Sequence, residues 1–209
     1  MSARKTFFAV MIFCVLAAIG LGGPIICVDP GHGGSDPGAV SYCTEKIHNL
    51  DCGLRFRNWM NADTSNDAGG YAWSPIMTRS TDIYVSLSGR VNYANGQDAA
   101  RYVSIHANAG GGYGSETFCY TSGSTNSFKM RNLLQNELLA HGGRYNRGNK
   151  VANFYVLKYT YMPAALTENA FVDNYNDAVC LNSASWRNNV ALGFLHAMQR
   201  HYGYAAFTP

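Results

Sequence analysis

The stretch Ile25-Ile26-Cys27-Val28-Asp29-Pro30-Gly31-His32-Gly33-Gly34 decides how the chain is read. Its first four residues are mostly apolar and β-favouring, the mark of a buried strand, and Asp-Pro-Gly stops that strand abruptly. His32 then stands at the strand's carboxyl end between glycines, which let backbone approach closely and crowd nothing. In an open α/β sheet that edge is where ligands and active sites collect. A single histidine in a turn is ordinarily a solvated loop residue. Support for more comes 74 residues on, in Tyr102-Val103-Ser104-Ile105-His106-Ala107-Asn108-Ala109, where a second apolar strand delivers a histidine at its end. Two strands ending in histidine predict one site assembled at one sheet edge.

Outward from His32, a polar Gly-rich loop leads to Thr44 and Glu45. Thr44 suits a helix N-cap, and Glu45 falls in the first turn, where an acid matches the helix dipole. A helix that follows such a strand starts at the strand's carboxyl edge, so Glu45 belongs to the same rim as His32. Ile47, Leu50, Leu54, Phe56 and Trp59 give this helix a rough apolar stripe. His48 competes with Glu45 as a ligand but points down the helix rather than at the rim. Residues 61–71 read as a surface loop, 75–79 as a strand, and Leu87, Val91 and Ala94 as a helix through about Asn95. After the His106 strand, 117–120 reads as a strand and 125–140 as an amphipathic helix. Residues 154–157 read as a strand, 164–167 as a strand ending at Glu168, and 185–202 as a terminal helix. Strands alternating with helices predict an α/β single domain: a largely parallel twisted sheet flanked by helices, with the active site at the carboxyl edge of the strands. Glu168 is then the third strand end to present a metal-compatible or acid–base residue. The alternative is a carboxylate capped by loop amides.

Composition narrows the function classes. In 209 residues, 47% are hydrophobic and only 14% charged, which excludes a disordered chain. The formal net charge is +3. Residues 1–22 carry Arg4 and Lys5 and no acid, so without them 14 basic residues face 13 acidic ones. That balance argues against a nucleic-acid partner and permits a polyanionic surface such as a cell wall. Arg4-Lys5, the apolar run from Phe7 to Ile19 and the small residues around Gly22 read as a signal peptide over 1–22. The run is too short for the ~20 residues that span a bilayer. The rival reading is an uncleaved anchor. A secreted protein is compatible with disulfides, and the expected pairs are Cys43 with Cys52 and Cys119 with Cys180, with Cys27 buried and free. No C-x-x-C occurs.

Five blocks, in order along the chain, carry a resemblance. They are Val28-Asp29-Pro30-Gly31-His32-Gly33-Gly34, Thr44-Glu45-Lys46, Thr78-Arg79 with Asp82, Ser104-Ile105-His106-Ala107-Asn108-Ala109, and Thr167-Glu168-Asn169-Ala170-Phe171. Together they resemble the zinc-dependent N-acetylmuramoyl-L-alanine amidases of bacterial autolysins and phage lysins, over about Ile25 to Tyr202. The family's usual Gly before the last Phe is Ala170 here. The resemblance implies that residues 23–209 form a zinc amidase catalytic domain, with Zn2+ held by His32, Glu45 and His106. It implies Glu168 as the catalytic acid–base, with Asp29 and Asn108 behind the ligands or at the substrate rim. The expected reaction is hydrolysis of the amide bond between N-acetylmuramic acid and L-alanine in peptidoglycan by zinc-activated water. Peptidoglycan is the expected partner of a secreted, periplasmic or extracellular monomer without stable membrane association once the signal is removed. Two other readings share these residues: a different zinc hydrolase acting on cell-wall peptide or acetamido bonds, and a non-catalytic wall-binding protein. Tyr113, Tyr159 and Tyr161 fall in loops near the expected rim.

Overall fold

The computed structural model describes residues 23–64 and 72–209. The proposed signal segment and Cys14 lie outside the described residues, as does most of the expected loop at 61–71. The elements run β1 (Ile25–Pro30), α1 (Glu45–Ala62), β2 (Ser74–Met77), α2 (Leu87–Gly96), β3 (Arg101–Asn108) and β4 (Ser115–Cys119). They continue with α3 (Thr125–Gly142), β5 (Asn146–Val151), α4 (Tyr155–Lys158), β6 (Ala164–Phe171), α5 (Tyr175–Asn182) and α6 (Ala184–His201).

One six-stranded sheet has the order β2-β1-β3-β6-β4-β5. The run β2-β1-β3-β6 is parallel. β4 runs antiparallel to β6, and β5 follows β4. Both faces of the central strands are covered, so alternation shows as two apolar sets instead of apolar against polar. Ile26, Val28, Val103, Ile105 and Ala165 pack with Phe56 of α1, Leu134 and Leu138 of α3, and Phe194 of α6. Cys27, Tyr102, Ala164 and Leu166 face the other way, onto Val91 and Ala94 of α2 and Val156 and Leu157 of α4.

The structure corrects several expectations. α1 begins at Glu45 with Thr44 as N-cap, but its buried face is His48, Asn49, Cys52, Phe56 and Met60. Ile47 is exposed, and with Leu50 and Leu54 it lines the helix's outer side. Polar Asn49 and Cys52 displace the apolar stripe because they turn towards the site and towards β6. Residues 154–157 form no strand. Val156 and Leu157 are adjacent and both buried, which one helical turn allows and a pleated strand does not. β5 was not legible, because as an edge strand it carries polar residues and pairs only with β4.

β6 does not end at Glu168 but runs on to Phe171. The register with β3 slips between His106 and Asn108, so the extra residue is absorbed as an irregularity just beyond Glu168.

The expected disulfides are not formed: Cys27, Cys43, Cys52, Cys119 and Cys180 are free. Cys52 sits two helical turns beyond the start of α1, ~10 Å from Cys43's end at 1.5 Å per residue, out of bonding reach. Cys180 lies beside Arg144, ahead of β5, whereas Cys119 pairs with Val151 at β5's far end. Cys27 is buried and free as expected.

Candidate metal centre

β1 and β3 are neighbours in parallel register, so their carboxyl ends bring His32 and His106 to the same edge. α1 returns to that edge and presents Glu45 from its first turn. The two imidazole rings stand edge to face with centroids 5.0 Å apart. His106 Nδ1 lies 2.9 Å from Glu45 Oε1, and His32 Nε2 lies 3.2 Å from Glu45 Oε2. One donor atom from each of the three falls within 4.8 Å of the other two. Glu45 also accepts from the Ala39 and Ala107 backbone amides and from Asn49 Nδ2. Burial alone would raise its pKa. Hydrogen bonds and charge from His106 and His32 outweigh that and hold it well below the usual carboxylate range.

His32 has a φ of 59°, left-handed backbone that costs a non-glycine residue ~1–3 kcal/mol. The cost is met by a clamp of buried arginines. Arg79 donates to the carbonyls of Pro30, Gly31 and Lys46. Arg90 donates to those of Pro30 and His32 and forms a 2.7 Å ion pair with Asp29. Asp29 accepts as well from Thr78 Oγ1 and Ser104 Oγ. Against burial, Arg90 and the Thr78 hydroxyl hold Asp29 below the ordinary carboxylate range. Lys46 ties the Gly34 carbonyl to Asp82. Asp36 sits 2.8 Å from His32 Nδ1 and fixes the ring from behind. Gly31 is required here: a Cβ there would lie 2.2 Å from the His106 ring.

Glu168 pairs in register with His106 on one side and Glu116 on the other. With His32 and His106 it lines a cavity of about 310 Å³, walled also by Tyr84, Phe154 and Tyr155. Its Oε2 is buried with no hydrogen-bond partner, although the side chain keeps some exposure to the cavity. Burial first, then the negative charges of Glu45 and Glu116, push its carboxyl well above the usual range. Glu116 is itself paired with Arg147 and Lys150 and accepts from Asn108 Nδ2.

The expected site residues therefore divide cleanly. His32, His106 and Glu168 line one cavity, and Glu45 lies against both histidine rings. Asp29 stands buried behind it as Arg90's counter-ion, and Asn108 faces Glu116 rather than the ligands. His48 is buried on α1 and belongs to no metal-compatible cluster among the described residues. Sequence reading missed Asp36, Asn49 and Arg90; of these only Asp36, a carboxylate one short loop from His32, left a usable signal. Two imidazoles, one carboxylate and an open side suit a catalytic zinc ion, and Glu168 lines the same cavity as both histidines.

Similarity to known proteins bears on this site. A protein family described as N-acetylmuramoyl-L-alanine amidase matches residues 26–200. The N-acetylmuramoyl-L-alanine amidase CwlM of Bacillus licheniformis is 40% identical over 178 residues, 85% of this chain and 68% of that one. A sporulation-specific N-acetylmuramoyl-L-alanine amidase of Bacillus subtilis is 36% identical over 178 residues, with the same coverage of each chain. The solved catalytic domain of the amidase CwlV, from Bacillus (Paenibacillus) polymyxa var. colistinus, superposes with a TM-score of 0.77 at 28% identity. That match covers 86% of this chain and 98% of that one. With its fold and its edge cluster of histidines and glutamates, the chain belongs to the N-acetylmuramoyl-L-alanine amidase family of cell-wall hydrolases.

Proposed function

We propose that His32, Glu45 and His106 hold a zinc ion and that Glu168 is the acid–base of peptidoglycan amide hydrolysis. The bond cut is the one between the lactyl group of N-acetylmuramic acid and the L-alanine of the stem peptide. One observation carries this reading. Glu168 stands opposite His106 in the sheet, its carboxylate facing the cavity that both histidines line, with one oxygen left without a partner. Zinc at such a site supplies Lewis acidity that polarises the scissile carbonyl and makes water a better nucleophile. Glu168 takes a proton as water's oxygen bonds to the carbonyl carbon. It returns that proton to the alanine nitrogen as the C–N bond breaks, since an amine leaves poorly unless protonated. Arg79 and Arg90, through three loop carbonyls, keep the His32 ring in position.

Tyr84, Phe154 and Tyr155 give the cavity an exposed apolar wall on which sugar or peptide can rest. Tyr159 stacks against Tyr155 and extends that wall outward. The substrate requires a secreted protein, in keeping with the basic and apolar character of residues 1–22. Among the described residues no helix is long and apolar enough to cross a membrane. The test is digestion of purified peptidoglycan with and without chelator, followed by mass analysis of the fragments. Free stem peptides with new L-alanine amino termini, lost on chelation, are expected. Released acetate or shortened stems would point to the other zinc hydrolases, and no fragments at all to a wall-binding protein.

A further inference from the structure

A second cluster of metal-ligating side chains lies far from the cavity. Glu137 and His141, four residues apart on α3, share one helical face. His196 reaches them from α6, which packs along α3 on the sheet face opposite α2 and α4. Three atoms converge there. His141 Nε2 lies 3.2 Å from His196 Nδ1 and 3.5 Å from Glu137 Oε2, and His196 Nδ1 lies 3.9 Å from the same oxygen. In a tetrahedral zinc site, bonds of ~2.0–2.1 Å put neighbouring donors ~3.3–3.4 Å apart, so the triangle has the right size for a small ion.

The atoms around this triangle free it for a cation. Arg200 Nε binds the other Glu137 oxygen, Oε1, at 2.6 Å and leaves Oε2 turned inward. His196 Nε2 is 3.2 Å from the Thr208 hydroxyl. A proton held there leaves the lone pair on Nδ1, the arrangement that orients a ligating imidazole. Gly193, one turn before His196, is the reason the rings can meet. A Cβ at that position would stand 3.0 Å from His141 Cδ2 and 3.0 Å from the Glu137 carbonyl oxygen. A single shared proton can join only one pair of these three atoms, whereas one cation satisfies all of them. The side chains are only 11–22% exposed, enough for water as a fourth ligand and too little for a solvated surface cluster.

We propose that Glu137, His141 and His196 bind a second divalent transition-metal ion, which staples α3 to α6. Two imidazoles with one carboxylate select zinc or a similar ion over calcium or magnesium, which prefer oxygen-only cages. The site requires nothing of the catalytic reading, and its metal stands outside the cavity chemistry.

The experiment is metal stoichiometry on the folded chain, using Zn2+ alone and then Co2+ alone as a spectroscopic probe, after equilibrium dialysis. The wild-type chain should hold two ions. The double variant His32→Ala/His106→Ala should keep one, with a tetrahedral Co2+ absorption band and a melting temperature that rises with added Zn2+. Adding His141→Ala to that double variant should abolish all three signals. Because His32→Ala/His106→Ala leaves α3 and α6 untouched, it decides the matter even if the triple variant does not fold. No ion in that double variant overturns the proposal and leaves the histidine contact as a plain hydrogen bond. One ion in the wild-type chain that survives His32→Ala/His106→Ala instead overturns the cavity as a zinc site and keeps the α3–α6 site.

Discussion

A buried carboxylate oxygen without a hydrogen-bond partner is costly, and Glu168 bears that cost at the edge of the cavity. In the proposed mechanism the cost has a use, because a carboxyl raised above its usual range gives up a proton reluctantly and takes one readily. Glu168→Gln keeps the shape and removes the carboxyl that can take up and release a proton. Turnover on purified peptidoglycan should drop by ~10²–10⁴, while zinc content and the circular dichroism spectrum stay as in the wild-type chain. Full turnover in that variant would move the acid–base role to another side chain. At this scale the convergence of His32, Glu45, His106 and Glu168 at one sheet edge is legible in the sequence, since each stands at or near the end of an apolar strand or in the first turn of a helix beside one. The clamp that holds them was not. Arg79 and Arg90 bind the carbonyls of Pro30, Gly31 and His32 from 48 to 60 residues away in sequence, and carbonyl partners leave no side-chain pattern.

For the elements, periodicity places most of them in order and type, missing β5 and α5 and taking the α4 turn for a strand, but it does not place their faces. α1 is the clearest case. Its most apolar line, Ile47, Leu50 and Leu54, lies outside, and its core line runs through Asn49, Cys52, Phe56 and Met60. The polar members of that line are committed locally. Asn49 bonds Glu45 and the Gly31 carbonyl, and Cys52 lies against Asn169 of β6. Hydrophobicity alone therefore points at the wrong side of the helix, because the site occupies part of the buried one. The two faces separate by mutation. Phe56 is fully buried and meets Phe194 edge to face at 5.7 Å, so Phe56→Ala should cost ~3–5 kcal/mol. Ile47→Ala should stay within ~0.5 kcal/mol of the wild-type chain. Urea unfolding measures both, and equal losses would put Ile47 in a core it does not occupy here.

At the scale of the whole molecule, two buried histidines, both held neutral, make an acid-sensitive contribution to stability. His48 is sealed inside α1 with neither ring nitrogen partnered, and burial, then Arg187, bring its pKa down to about 4. His201 is brought to about 4 by burial, then by Arg101, whose Nε donates to its Nε2 and needs a lone pair there. In the unfolded chain both return to the ordinary 6.5. Between those values the unfolded state binds more protons, so stability is full above about 6.5 and drains as pH falls towards about 4. A change of that size is worth roughly 3 kcal/mol for each histidine. The depressed carboxylates, Glu45 and Asp29 among them, add losses as pH falls through their ordinary values of 4.5 and 3.8 and below, whereas Glu168 and His32, both raised above their ordinary values, act in the opposite sense. With chelator present throughout, so that release of bound metal contributes nothing, urea midpoints of the wild-type chain and of His48→Leu compared between pH 7 and pH 4.5 isolate the share that His48 contributes. His48→Leu fills the same space with no group to protonate. It should match or exceed the wild-type chain at pH 7 and lose less than the wild-type chain on acidification, the difference between the two being the His48 share. An unchanged slope in His48→Leu would mean that the side chain reaches solvent, or a partner, before the chain unfolds.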